Sequence, residues 1–421
     1  MVRLPAIVVK ACSIKRAGEY IWGRGSLDDK PGLVGSLTVV EELLRAGFKP
    51  TRTFVLAYGI DEERGGISGA TAIRDYLLAT YGAYAFSILV DEGSGYEVKD
   101  DVIMANPGVA EKGKFDMRFE ISSPGGHSSI PPEHTSIGML AALVKQIEAN
   151  PHGAQLNRSG VYYSLLQCRA AHDTSMAPHL RSLISHSRSS DKALHALERY
   201  LAKTDHLFPA LAGTTQAADV IRGGVKTNAL PERAEVIVNH RIDIHSSVDA
   251  LQKHVVRVVK PVVAQFGLEL DAFSKPEFSV KQQDGVASGV LRIADAFGTA
   301  LEPAPVTPMG DSGPFQFLSG TIIGVLGASN RTGIPSMFQR DRCDHANDMM
   351  FGRCDRAACS ADTKHYWKLT KHIFRYGHTN DADSFNGGHT VNEALRGEGF
   401  IETIRFFTWV ILNADESPLL E

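Results

Sequence analysis

Three acidic clusters near the start of this chain constrain its fold more than any other feature. Asp28-Asp29 follows Gly23-Arg24-Gly25, Asp61-Glu62-Glu63 follows the strand-like Phe54-Val55-Leu56-Ala57-Tyr58, and Asp91-Glu92-Gly93 follows Ile88-Leu89-Val90. Between the first two, Leu33, Leu37, Val40 and Leu44 fall on one helical face, with Pro31 near its start and Gly47 just past its end. Strands at 53–58 and 86–90 bracket a second helix around Ala70–Tyr81. This β-α-β alternation implies a mostly parallel sheet with helices packed on it. Ligands gather at the carboxyl ends of such strands, where the acids lie. Carboxylates converging there repel each other unless cations neutralise them, and oxygen donors joined by the imidazole of His389 suit a zinc-like divalent ion.

The pattern changes after Pro107-Gly108. Phe115–Ile121 alternates apolar and polar residues, which predicts a strand buried on one face. A helix at 135–149, strands near 219–226 and at 234–244, a helix from Ser247 to Phe266 containing Pro261, and a strand at Leu268–Phe273 complete a β-α-β-β-α-β order. The expected architecture is therefore α/β. A catalytic domain is built from residues 1–108 and 281–421, and a ferredoxin-like α+β lid or dimerisation domain at 109–280 carries an insertion at about 150–215. Thr321-Ile322-Ile323-Gly324-Val325-Leu326 reads as a further strand of the first domain, and Phe400–Leu412 as an apolar helix.

At 421 residues the chain is long enough for two cores. A net charge of -4, with no basic block carrying interleaved aromatics, gives no reason to expect nucleic acid as a partner. Nothing approaches the roughly 20 apolar residues of a membrane span. The apolar patch at Met1–Lys10 is too short and interrupted for a signal peptide. Five cysteines argue against a complete disulfide framework, and Cys343, Cys354 and Cys359 in the Arg331–Ser360 tract lack zinc-site spacing. Asn157-Arg158-Ser159 and Asn330-Arg331-Thr332 are glycosylation-type sequons, common by chance in a chain this long.

Six stretches in fixed order resemble one family. They are Gly23–Lys30, Asp61–Glu63, Val90–Gly93, Gly125-Gly126-His127-Ser128-Ser129, Gly223–Asn228 and Gly388–Glu393. The chain resembles the zinc metallopeptidase family of carboxypeptidase S, aminoacylase, acetylornithine deacetylase and carnosinase, and within it the carboxypeptidase S branch. The resemblance implies two zinc ions bridged by Asp28, with Glu63 and His389 completing one site and Asp91 belonging to the other. It implies Glu62 as the general base on an attacking water, and His127 as a residue that crosses into a partner subunit's cleft to bind the tetrahedral intermediate. Asn228 and Arg241 resemble the residues that hold a substrate's free carboxylate, and a guanidinium fork matches a carboxylate in both directions. The implied protein is a homodimeric, zinc-dependent protease of the carboxypeptidase kind. It would hydrolyse the amide next to a carboxyl-terminal amino acid in small peptides or N-acyl amino acids, in a vacuolar or secreted setting.

One family feature is missing: a His-x-Asp pair some thirty residues before the bridging aspartate, for the first histidine of this chain is His127. Residues Met1–Ala17 match nothing in the family, and Ser360–Trp367 resembles it while the stretch before does not. These departures predict a truncated or misassembled reading of the gene, an unpaired sheet edge in the first domain, and one well-held ion in place of two. They keep a second expectation open: a non-enzymatic remnant that dimerises or binds ligand.

Overall fold

Local chemistry at both ends fixes the first helix, Lys30–Arg45. At its start the Asp29 carboxylate accepts from the Gly32 amide, with Pro31 in the first turn. At its end Gly47 takes φ +77°, Phe48 N–H reaches Leu43 O at 3.0 Å and Gly47 N–H reaches Leu44 O at 3.0 Å, a Schellman closure. The computed structural model describes residues 19–99, 102–281, 287–329 and 362–421. The amino-terminal expectations, the Asn330 sequon and the cysteine tract lie outside these. The chain divides into two compact units. One holds the described residues up to Val109, Asn157–Leu197 and those from Val306 onward; the other holds Ala110–Leu156 and Glu198–Pro305.

In the first unit, three short ladders matter for the site. Tyr20–Trp22 pairs antiparallel with Ala394–Arg396, which pairs in turn with Ser384–Phe385. Leu89–Asp91 pairs in parallel with Ile373–Arg375, and Tyr96–Lys99 forms an antiparallel pair with Val102–Ala105. The Lys30–Arg45 helix buries a line of small residues, Pro31, Gly35 and Val39. A β-carbon at Gly35 would stand 3.3 Å from Thr403 Cγ2 on the Gly397–Glu416 helix, so these axes approach closely. The larger face predicted from periodicity is left outside: Leu33, Leu37 and Leu44 are 37%, 48% and 67% exposed.

Two expected strands are corrected. Residues 53–58 form no strand, and Val55, Leu56 and Tyr58 are exposed. β-Branched and aromatic character makes a strand only when a neighbour supplies the ladder. Residues 321–326 lie inside a helix, Gly313–Gly327. Phe315, Leu318, Ile322 and Val325 recur at helical spacing and are buried against Phe374, Tyr376 and Phe406. A continuous apolar run does not reveal its own period, so its six residues read equally well as either element.

The second unit is a five-stranded sheet in the order Thr215–Gly223, Arg233–Ile242, Gly113–Ser122, Gly289–Asp295, Leu268–Ala272. All pairs are antiparallel except the last. Helices Ser136–Glu148 and Val248–Gln265 cover one face and share its core with Met117, Phe119, Val236 and Leu291. The β-α-β-β-α-β order is present, with Gly289–Asp295 as a strand that periodicity did not mark. The Gly113–Ser122 strand, expected to be buried on one face, is buried on both. Asp116 and Glu120 are little exposed because Lys114 and Arg233 pair with them across the polar side.

Between helices and sheet lie three histidines, His152, His240 and His254. The His152 ring sits 4.0 Å from that of His254 and 6.1 Å from that of His240. His240 Nδ1 donates to Phe115 O at 3.3 Å, and His254 Nδ1 accepts from Arg257 at 2.9 Å. All three Nε2 atoms are buried without a hydrogen-bond partner. Burial, then the His254 and His240 rings and Arg257, pushes His152 down to about 3; burial pushes His240 to about 4, although its bond to Phe115 and the charge of Asp116 favour the protonated ring, and burial lowers His254. A histidine lowered in the fold charges first in the unfolded chain. Stability is therefore complete above about pH 6.5 and declines as pH falls towards 4. Hydrogen exchange across Gly113–Ser122 should accelerate between pH 7.5 and 5 beyond the intrinsic pH effect, and His152→Phe should flatten that slope. A slope unaltered in the variant would refute the buried neutral cluster.

Candidate metal centre

Three loops deliver the predicted ligands. The first leaves Tyr20–Trp22 and runs through Gly23–Asp29, where Ser26 N–H bonds Gly23 O at 3.0 Å and Lys30 N–H bonds Gly25 O at 2.9 Å. The second is the Glu62–Arg64 turn of 3-10 helix, next to Asp61, whose carboxylate accepts from the Ser68 and Gly69 amides at 2.8 Å each. The third runs from Phe385 to Ala394, the two strands that complete the sheet of Tyr20–Trp22. Trp22 opposite Ala394 thus brings the loops of Asp28 and His389 side by side from opposite ends of the chain.

The outcome is a convergence of Asp28, Glu63 and His389. His389 Nε2 lies 2.9 Å from Asp28 Oδ2 and 2.8 Å from Glu63 Oε1. Among the described residues these are the group whose ligand atoms all lie within 4.8 Å of one another. One imidazole nitrogen facing two carboxylate oxygens fits a divalent cation by donor chemistry. Ligand atoms around a tetrahedral zinc stand roughly 3.4 Å apart for bonds of about 2.1 Å, so small side-chain shifts suffice. His389, Asp28 and Glu63 side chains are 49%, 24% and 65% exposed, so the centre opens to solvent.

Electrostatics point the same way. Glu62 is pushed up to about 7 by burial first, then by Asp362, Glu63 and Asp28. Asp91 rises to about 6, chiefly by burial, with Asp362 and Asp29 adding repulsion. Glu92 is raised by burial and by Asp91, Asp28 and Glu62. Asp91 Oδ1 accepts from the Glu92 amide at 2.9 Å while its Oδ2 is buried without a partner. Asp91 does not join the Asp28–Glu63–His389 group. A cation bound among such acids would favour their charged forms.

Two residues beyond the predicted set emerge. Glu92 follows Asp91, and its place in the Asp-Glu-Gly sequence was its only signal. Glu393 is 2% exposed and connects two ligand loops: it pairs with Arg24 at 2.8 Å and accepts from Leu27 N–H at 3.3 Å and His389 N–H at 3.2 Å. That last bond helps hold His389 at φ +63°, an uncommon value for a residue with a side chain. Glu393 lay within a matching stretch, but nothing in its type separated a tie from a ligand.

The other predicted residues belong to the second unit. His127 is exposed and its Nδ1 accepts from Ser129 N–H at 3.1 Å. Its loop runs beside that of Asn228, with Leu230 N–H to Gly126 O at 2.9 Å and a bridge between His127 and Ala229. Arg241 alternates with buried His240 and Ile242 near the far end of the Arg233–Ile242 strand. From Arg233 to Arg241 the strand rises roughly 27 Å at about 3.4 Å per residue, so one unit keeps Asn228 and Arg241 apart.

A profile described as peptidase family M20/M25/M40 matches residues 8–413. The chain is 36% identical to carboxypeptidase S of Saccharomyces cerevisiae over 405 residues, covering 94% of this chain and 66% of that one. It is 28% identical to the mouse N-fatty-acyl-amino acid synthase/hydrolase PM20D1 over 402 residues, covering 94% and 68%. The dipeptidase Dug1p of Saccharomyces cerevisiae superposes with a TM-score of 0.54 at 13% identity, covering 96% and 74%, and human carnosine dipeptidase 1 with 0.53 at 13%, covering 96% and 75%. The chain spans about two thirds of the length of the curated relatives it matches.

A carboxylate whose pKa is raised in the fold contributes stability below its unfolded value and loses it as pH rises through the folded one. With chelator present, the first unit, which holds Trp22, Trp367 and Trp409, should lose stability from pH 5 to pH 8 by tryptophan fluorescence. Zinc should restore more at pH 8 than at pH 5, because the ligands are then deprotonated. A restoration independent of pH would contradict the assignment. Glu393→Ala should weaken zinc binding by about 10–100-fold, roughly 1.4–2.7 kcal/mol, as measured by competition with a chromophoric chelator.

Proposed function

Because the chain belongs to peptidase family M20/M25/M40, we propose that it is a zinc-dependent hydrolase of the carboxypeptidase kind, cutting the amide next to a carboxyl-terminal amino acid. The observation that carries this reading is the convergence of Asp28, Glu63 and His389 beside the raised carboxyl of Glu62. A divalent zinc held there supplies Lewis acidity, acidifying a water and polarising a carbonyl. The protein's own part is proton handling. Glu62 at about 7 is matched to accepting a proton near neutral pH and passing it to a leaving amine. Its place in a turn fixed at Asp61 keeps it next to the ligand Glu63.

Small peptides and N-acyl amino acids are the substrate class. Arg241 and Asn228 are proposed to hold the substrate's free carboxylate, and His127 the tetrahedral intermediate. By the family resemblance, His127 would serve the partner subunit's cleft in a homodimer. Among the described residues no helix is long and apolar enough to cross a membrane. By the same resemblance the proposed compartment is vacuolar or secreted.

A second reading, a remnant that binds without hydrolysis, is favoured by the absence, among the described residues, of a second ligand group built on Asp91. Zinc stoichiometry separates the two: two tightly held ions per chain support the enzyme, one or none the remnant. For the enzyme, an N-blocked dipeptide should release free amino acid only when metal is present. Glu62→Gln should lower that release by at least about 10²-fold with metal content unchanged. Full activity in this variant would remove Glu62 from its role.

A further inference from the structure

We propose that His365 is a positioning residue for the turn that carries Glu62 and Glu63. The inference rests on the reading above for what that turn does, but not for how the turn is held. Inside the turn, Gly65 N–H bonds Glu62 O at 2.6 Å and Gly66 N–H bonds Asp61 O at 2.9 Å. Gly65 and Gly66 follow with φ +92° and +65°, two successive left-handed residues that have no side chain of their own to anchor them. The Gly65 carbonyl meets His365 Nε2 at 2.9 Å, a partner 300 residues away in sequence. A carbonyl only accepts, so Nε2 carries the hydrogen.

The same short helical turn, Asp362–His365, presses on both flanks of the loop. A β-carbon at Gly66 would stand 2.0 Å from Asp362 Oδ1, and one at Gly59 2.7 Å from Asp362 Oδ2. Gly59 and Gly66 therefore rest on the Asp362 carboxylate, while His365 takes the carbonyl between Gly66 and the ligand. Asp61 secures the opposite side through the Ser68 and Gly69 amides. Beside the Glu63–His389 contact, the His365 bond ties the Glu62–Gly65 side of the turn to the rest of the unit. Glu63 lies only two residues before Gly65, so movement of that carbonyl moves a ligand.

The test compares His365→Leu with His365→Gln, whose side-chain amide can donate in place of Nε2. Hydrogen–deuterium exchange of the 59–69 segment is read in chelator-treated full-length protein, and Co²⁺ affinity is read separately. The leucine variant should exchange the Gly65, Gly66 and Gly69 amides about tenfold faster, with the Lys30–Arg45 and Gly397–Glu416 helices unchanged. It should bind Co²⁺ about 10–100-fold more weakly, and glutamine should return both readouts to within about threefold of the parent. Should the leucine variant not fold, His365→Asn, whose shorter amide falls short of Gly65 O, takes its place with the same expectations. Unchanged exchange in these variants, or glutamine behaving like leucine, would overturn the inference. A parent protein that takes up no Co²⁺ would defeat the metal-centre reading alone, because the exchange comparison still decides whether His365 holds the turn.

Discussion

Repulsion among carboxylates gathered around Asp28 is the constraint to which the first unit is built. Burial and like charge together raise Glu62, Asp91 and Glu92, so the cluster without a cation stores unfavourable energy. The loops that hold it are fastened by other means. Backbone amides bind Asp61, the Glu393 carboxylate spans the loops of Asp28 and His389, and the paired strands beneath fix their register. The loops of Asp28, Glu63 and His389 are therefore held together by contacts within the chain itself.

Neighbouring acids of one type do different work here because consecutive side chains leave the backbone in different directions. Asp29 caps a helix while Asp28 faces His389. Asp61 caps the next helix while Glu63 joins the centre and Glu62 stays half-buried beside it. Histidine is divided likewise. His389 faces two carboxylates, His365 donates to a carbonyl, and His152, His240 and His254 gather ring against ring with their Nε2 atoms buried. The two solved dipeptidase structures share the fold at 13% identity, which such a division permits: packing tolerates substitution more readily than a centre whose oxygens must converge.

Much of this was legible in the sequence where local chemistry decides. Pro31 and Gly47 bounded the first helix correctly, because helix starts and left-handed closures act over a few residues. Asp28, Glu63 and His389 were identified through the order of matching stretches, and they do converge. Reading failed where a neighbour decides. The run 321–326 became helix because Phe374 and Phe406 present a surface that takes residues at every third or fourth place. Residues 53–58 had strand composition and no ladder. The Lys30–Arg45 helix turned its small residues inward, since Gly35 admits a close helix where Leu37 would hold it away.

What the sequence determined by itself is the inventory: which loops carry acids, where the first helix begins and ends, and which late histidine meets two of those acids. Tertiary structure alone decided the assignments within it. It placed Glu393 between two loops, set Asp362 and His365 under a turn three hundred positions earlier, and kept Asp91 out of the ligand group. The physical reason is that caps and turns are settled by contacts a few residues long. A carboxylate's role depends instead on which distant amide, cation or second carboxylate lies within about 3 Å of it, and only the folded chain fixes that.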